Sequence, residues 1–241
     1  LIVTRSFGGK EKSTSDMFDY NTVPKFSIKP ATIGEFSLSF EENSYRLCKG
    51  KDQLMALYKP NYRELKEQYA MYDLAYGDVI LTGFGLGILP LWVAAKPSVT
   101  SVTVLEMSKE VVDLFLLNNT MPENITIVYA DAKTYIADKG YDCLFMDHFP
   151  DHKEWPVYKE VAQIANNIPH KVLWFYGLES HYVRNYYGMK AASLVVRFPS
   201  LDNYDLTLEW ENYAKAFNLN TFPNLDDETL KYYLRCFFVR V

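Results

Sequence analysis

Three glycines spaced two apart, Gly83, Gly85 and Gly87, interrupt an apolar run from Val79 to Pro90. Only glycine lets a backbone turn that sharply and also approach a ligand closely. The dinucleotide pattern G-x-G-x-x-G would need a third glycine where the chain has Ile88 or Pro90. A G-x-G-x-G turn suits a nucleoside ligand with no pyrophosphate to cradle. Three acids follow. Glu106 stands near the offset of about 20 residues at which α/β nucleotide sites put a carboxylate on ribose hydroxyls. Asp131 could bind a ligand or cap a helix. The segment Asp147-His148-Phe149-Pro150-Asp151-His152 places two acids and two histidines close together. Its aspartates could orient or deprotonate an amine or hydroxyl, and His148 or His152 could act as a base near neutral pH. Asp147, Asp151 and a histidine could equally bind a divalent ion.

These residues need strands and helices to bring them together. Val79 to Thr82 reads as a strand, and Ile88 to Lys96 as a helix with Pro90 in its first turn, where a missing N–H costs nothing. Ser101 to Glu106 is a β-branched strand, and Ser108 to Asn118 a helix capped by Ser108. The runs Asn124 to Tyr129 and Tyr141 to Met146 are further strands, leading to Asp131 and Asp147. A glycine or an acid therefore follows each strand at its carboxyl end, where open α/β sheets bind ligands. Downstream, the pattern predicts a helix from Trp155 to Asn166, a strand from Lys171 to Tyr176 and a helix from Glu179 to Tyr187. Ser193 to Phe198 and Tyr232 to Val241 read as outer strands, with a helix from Leu206 to Phe217 and a loop from Asn218 to Asp227 between them. Such alternation defines a doubly wound, mostly parallel α/β sheet of Rossmann-like type.

The order of these motifs resembles the class I S-adenosylmethionine-dependent methyltransferases, nearest to the branch related to spermidine synthases, over about Gly77 to Gly177. The resemblance implies S-adenosylmethionine as cofactor. Gly83, Phe84, Gly85 and Gly87 would pass under its methionine part, Glu106 and Met107 would hold the ribose, and Asp131 with the Ala132 backbone would face the adenine. Asp147 would lie beside both cofactor and acceptor, with His148 as a second catalytic candidate. The spermidine synthase flavour comes from Val104-Leu105-Glu106, from Asp131-Ala132-Lys133-Thr134-Tyr135-Ile136 and from Tyr141-Asp142 leading into Asp147. It also comes from Leu81, where many methyltransferases carry an acid. Leu86 stands where spermidine synthases carry Asp, which implies a preference for S-adenosylmethionine over its decarboxylated form. The loop after Met146 is similar to that of catechol O-methyltransferases. Pro150 takes the place of that family's lysine, however, and Phe175 to Glu179 lacks its Asp-Asn pair, so no metal is expected. The expected activity is methyl transfer to a small-molecule nucleophile. The alternatives are a spermidine synthase-like aminopropyltransferase and a non-catalytic nucleoside-binding protein of the same fold.

Bulk properties agree. The 241 residues suit one α/β domain with modest additions, 49% hydrophobic content can fill a core, and 23% charged residues is ordinary for a globule. A net charge of −5 leaves no basic footprint for nucleic acid. Cys48, Cys143 and Cys236 share no close spacing, so neither a disulfide framework nor a zinc site is indicated. Cys143 and Cys236 fall in apolar runs and read as buried thiols. No apolar stretch is long enough for a membrane span and no leader pattern opens the chain, so a cytoplasmic protein is expected. A homodimer is compatible with this reading. Residues 1–24 read as a flexible tail. Residues 25–76 read as a β-hairpin, with Phe36, Leu38, Phe40, Tyr45 and Leu47 alternating, and a helix opened by Pro60 with a stripe of Tyr62, Leu65, Tyr69, Tyr72 and Tyr76. That stripe would face the core or the cleft. Residues 77–241 form the cofactor-binding domain. Trp174, Phe175, Tyr176, Tyr182, Tyr186 and Tyr187 would pack the core or line a pocket for an aromatic or cationic acceptor.

Overall fold

The computed structural model describes residues 20–58, 63–148, 157–179 and 225–238. Its centre is a five-stranded sheet of β5 (Gly77–Thr82), β6 (Val99–Glu106), β7 (Ile125–Tyr129), β8 (Tyr141–Met146) and β9 (His170–Phe175), in the order β7-β6-β5-β8-β9. All four pairings are parallel. The chain winds outward from β5 through β6 to β7, then returns to the other side of β5 with β8. The switch point of this Rossmann-like sheet therefore lies between β5 and β8, where such sheets open a crevice. The strands are near-continuous apolar runs because both faces are covered: Val79, Ile80, Val104, Cys143, Leu144, Phe145, Met146 and Leu173 are all fully buried.

Helices α3 (Ile88–Ala94), α4 (Lys109–Leu116) and α5 (Val157–Asn167) connect these strands. The expected strands and helices from Val79 to Tyr176 all occur, displaced by a few residues at their ends. One local reason differs. Ser108 makes no side-chain cap on α4; instead the Glu106 carboxylate accepts the Ser108 N–H at 2.8 Å. An acid at a strand end thus does the capping and keeps its place beside the turn.

The second sheet is antiparallel: β1 (Ala31–Ile33), β2 (Phe36–Glu41), β3 (Ser44–Lys49) and β4 (Asp52–Tyr58), in sequential order. The expected hairpin is β2 and β3, closed at Glu42 and Asn43, both at positive φ as a two-residue hairpin turn requires. Phe36 and Leu38 are buried, whereas Phe40, on the same face but next to the hairpin turn, is 46% exposed and packs against its cross-strand partner Tyr45. The chain ahead of this sheet is already tied down: Trp92 donates its indole N–H to Thr22, and Ser27 and Asn119 exchange hydrogen bonds.

The predicted tyrosine helix is two short ones, α1 (Arg63–Glu67) and α2 (Tyr69–Leu74), broken at Gln68. Leu65 and Tyr69 enter the core and Tyr72 stacks on Trp92 at 4.1 Å, so the stripe faces the core. Tyr62 lies outside the described residues, and Tyr76 falls beyond the helix.

A larger correction concerns the C-terminus. Tyr232 to Val241 reads as a strand in sequence, but residues Asp227–Phe238 form helix α6. Asp226 caps it, accepting the Thr229 N–H at 2.8 Å and the Thr229 hydroxyl at 3.1 Å. Leu230 and Tyr233 are three apart and both buried, and Tyr233 meets α2, where its hydroxyl donates to Asp73 at 2.8 Å. The helical period wins over the aromatic composition. The strand from Ser193 to Phe198, the helix from Leu206 to Phe217, all but the first residue of the helix from Glu179 to Tyr187, and most of the loop after them lie outside the described residues. Among the described residues no helix is long and apolar enough to cross a membrane.

Candidate functional site

The carboxyl ends of the sheet are stitched in a row. The residue after four of the five strands donates its N–H to a carbonyl at or next to the end of a neighbouring strand: Gly83 to Leu105 at 2.8 Å, Ala130 to Glu106 at 3.1 Å, Asp147 to Thr82 at 3.1 Å and Tyr176 to Met146 at 2.9 Å. Parallel register therefore sets Gly83, Glu106, Ala130, Asp147 and Tyr176 along one edge. A cleft of about 610 Å³ opens over that edge, within the usual range for small-molecule sites.

Gly83, Gly85 and Gly87 all sit at positive φ, at 86°, 54° and 78°. A side chain on Gly83 would meet the Asp147 carbonyl and the His148 Cβ at 3.0 Å, so the turn lies directly against the end of β8. A side chain on Gly85 would meet the Met55 sulfur at 2.8 Å, so Met55 of β4 packs directly on the turn. Gly87 serves packing, since a Cβ there would strike Phe84 and Phe115. The Phe84 side chain is buried edge-on against Phe115, and only its backbone turns back, donating N–H to Glu106 at 2.9 Å. Glu106 thus clasps the glycine turn with one carboxylate oxygen and the start of α4 with the other. Each oxygen retains lone-pair capacity for a hydroxyl donor.

Of the residues singled out in sequence, Gly83, Gly85, Glu106, Met107, Asp131, Ala132, Asp147 and His148 line this one cleft, while Phe84 and Gly87 stand behind it. Asp131 folds a local turn, accepting the Lys133 N–H at 2.9 Å, and caps no helix. Leu86, in the position where an acid was weighed, is buried in the core and does not reach the cleft. Asp151 and His152 lie outside the described residues, as do Tyr182, Tyr186 and Tyr187. Among the described residues no cluster of three metal-ligating side chains occurs.

Asp147 keeps an open edge on the cleft but is crowded on its other sides. Desolvation raises its pKa to about 7, the Gln68 hydrogen bond at 2.5 Å works the other way, and nearby Glu67 adds to the rise. No salt bridge pins it among the described residues. An acid in this state can orient an N–H or O–H and accept its proton near neutral pH. His148 is differently placed. Its Nδ1 is 2.5 Å from the Thr82 hydroxyl and its Nε2 is 2.8 Å from Glu160, so both ring nitrogens are engaged within the protein. The histidine lowers the Glu160 pKa, and Lys133 approaches the same carboxylate at 3.4 Å. This chain ties the end of β5 to α5 and suits a brace better than a base. Tyr176 donates its hydroxyl to Glu67, and burial raises its pKa well above the ordinary value.

Sequence reasoning missed the opposite wall. Phe36, Leu47, Lys49, Leu54 and Met55 bring the antiparallel sheet over the cleft, and Glu64 and Gln68 close one side. The Leu54-to-Tyr58 stretch carried a partial signal in its unbroken apolar run. Nothing in the spacing of Gln68 linked it to Asp147.

No family model matches the sequence, and no curated protein matches it. Several solved structures are similar in fold. A Methanococcus maripaludis protein provisionally assigned to the S-adenosylmethionine-dependent methyltransferases is 18% identical over 71% of this chain and 83% of its own, with a TM-score of 0.42. The spermidine synthase of Thermotoga maritima is 13% identical over 61% of this chain and 54% of its own, with a TM-score of 0.42. An S-adenosylmethionine-dependent methyltransferase from Mesorhizobium loti is 17% identical over 44% of this chain and 49% of its own, with a TM-score of 0.35. The chain thus matches only about half the length of the last two. The Rossmann-like class itself stands on the strand order and register.

Proposed function

We propose that the protein is an S-adenosylmethionine-dependent methyltransferase acting on a small-molecule nucleophile. One observation carries the reading: a glycine turn at positive φ, Glu106, Asp131 and Asp147 converge on a single cleft at the switch point of the sheet. The site fits the cofactor. Gly83 and Gly85 line the cleft with backbone, Glu106 offers acceptors for two ribose hydroxyls, and Asp131 with Ala132 would face an adenine edge. When bound, S-adenosylmethionine supplies a methyl group already activated by its sulfonium. The protein's part is to align the nucleophile, exclude water and take up a proton. Asp147 orients the nucleophile's N–H or O–H and accepts that proton.

Two observations weigh against the other readings. Asp147 is held at the glycine turn rather than locked in a remote ion pair, which favours catalysis over a retired site. Leu86 is buried, so the turn carries no acid for the amine of a decarboxylated cofactor, which favours methyl over aminopropyl transfer. Calorimetry with S-adenosylmethionine, S-adenosylhomocysteine and decarboxylated S-adenosylmethionine tests this, followed by a metabolite screen with methyl-labelled S-adenosylmethionine. Tighter binding of the carboxylated cofactor and a labelled product are expected. No heat from folded protein at millimolar ligand would end the reading. Preference for the decarboxylated form, with methylthioadenosine released in the presence of putrescine, would reassign it to aminopropyl transfer.

A further inference from the structure

Gln68 breaks a helix that would otherwise run from Arg63 to Leu74. The break is stable at the backbone: Gln68 donates its N–H to the Glu64 carbonyl at 3.0 Å and accepts from Met71 at 3.1 Å. Its side chain, only 2% exposed, crosses to the end of β8 and donates Nε2–H to Asp147 Oδ2 at 2.5 Å. The other end of the same amide, Oε1, is buried with no hydrogen-bond partner among the described residues. A buried carbonyl left without a donor is costly and uncommon, and it calls for a reason.

The reason lies in what Asp147 must do. Glu64 and Glu67 of α1, Tyr176 after β9 and the adjoining His148, itself tied to Glu160 of α5, surround this part of the cleft. Among the described residues no lysine or arginine forms a salt bridge with Asp147. An ionised carboxylate needs a donor, and a protonated one needs an acceptor. An amide holds both, and a half-turn about its last bond exchanges them. We propose that Gln68 is the positioning residue of Asp147, donating Nε2–H to the carboxylate and turning to accept the O–H at Oε1 once the acid holds a proton. The carboxyl group then keeps one place through a proton-transfer cycle. In methyl transfer the nucleophile's electron pair would form the new bond as the methyl–sulfur bond breaks and leaves its pair on sulfur, while the nucleophile's proton would pass to Asp147 and from there to water. The inference rests on the reading of Asp147 as the group that orients and deprotonates the acceptor.

The test needs neither acceptor nor cofactor. The whole chain is labelled with carbon-13 at its aspartate carboxyl groups and titrated by NMR, with Asp147→Asn identifying the resonance. The wild-type midpoint is expected near neutral pH. Gln68→Leu removes both bonds, the charge-assisted one to the carboxylate and the weaker neutral one to the acid, and is expected to raise that midpoint by their difference, about one pH unit. Gln68→Glu sets a second acid against the first and is expected to give two steps, one on each side of the wild-type midpoint. A purely structural role for Gln68 would leave the titration where it was. An unchanged midpoint in folded Gln68→Leu overturns the proposal. If that variant does not fold, the near-isosteric Gln68→Glu decides, and a single step at the wild-type midpoint overturns it. Loss of the functional reading by calorimetry would leave this titration intact, so the two failures are distinguishable.

Discussion

Asp147 carries the chemistry at the scale of single residues, and its environment sets a pH dependence. An aspartate ionises at about 3.9 in an unfolded chain, whereas desolvation holds this one at about 7 in the fold. As the base form is the carboxylate, turnover is expected to rise as pH climbs through about 7. Asp147→Asn should lower turnover by about 10²–10⁴ and leave cofactor affinity within a few-fold. Equal loss of both, by calorimetry beside a labelled-methyl assay, would place Asp147 in cofactor binding alone. Gly83 gives a second test of the same corner. Alanine there meets the Asp147 carbonyl and His148 at a φ of 86°. Gly83→Ala is expected to cost about 1–3 kcal/mol in urea unfolding, and an unchanged midpoint would show that the turn can yield.

At the scale of elements, Glu179 directly after the β9 turn offers a sharper pH prediction. It is buried, accepts the Trp174 indole N–H at 3.3 Å, and its second oxygen has no partner among the described residues. Burial raises it to about 8, with Glu67 adding to the rise. An unfolded glutamate ionises at about 4.3. Between these values the folded protein holds a proton that the unfolded chain has released, so this group makes stability fall as pH rises across that window. Glu179→Gln should therefore be more stable than wild type above about pH 8 and comparable in acid, as read by thermal unfolding. Equal curves at alkaline pH would refute it. Helix α6 depends on its cap, and Asp226→Ala should cost about 1 kcal/mol. That helix also marks where the sequence could not be read. Aromatics spaced for a strand by composition proved to be spaced for a helix, and the deciding contacts with α2 are distant in sequence. The parallel strands from Val79 to Phe175 were legible because each is a β-branched or aromatic run ended by a glycine or an acid. The stitching of their ends needs no information beyond register. Gln68 was illegible because its partner is set by a helix break and a strand end that only the folded chain brings together.

At the scale of the molecule, the described residues form two sheets that share one cleft. The parallel sheet supplies Gly83, Glu106, Asp131 and Asp147, and the antiparallel sheet supplies the apolar wall of Phe36, Leu47, Leu54 and Met55. A ligand in that cleft contacts both, so its binding energy should couple them. A ligand held at about 100 times its dissociation constant stabilises the folded state by about 2.7 kcal/mol. With S-adenosylhomocysteine at such an excess, hydrogen exchange is expected to slow at the ends of β5 and β6 and also along β3 and β4, which lie far away in sequence. Met55 packs on Gly85 and joins the antiparallel wall to the glycine turn, so Met55→Ala should weaken that remote protection more than it weakens the protein itself. Protection confined to the parallel sheet would show that the antiparallel wall takes no part in holding the cofactor. The proposed acceptor would then have to find its contacts on Asp147, Glu64 and Glu160 alone.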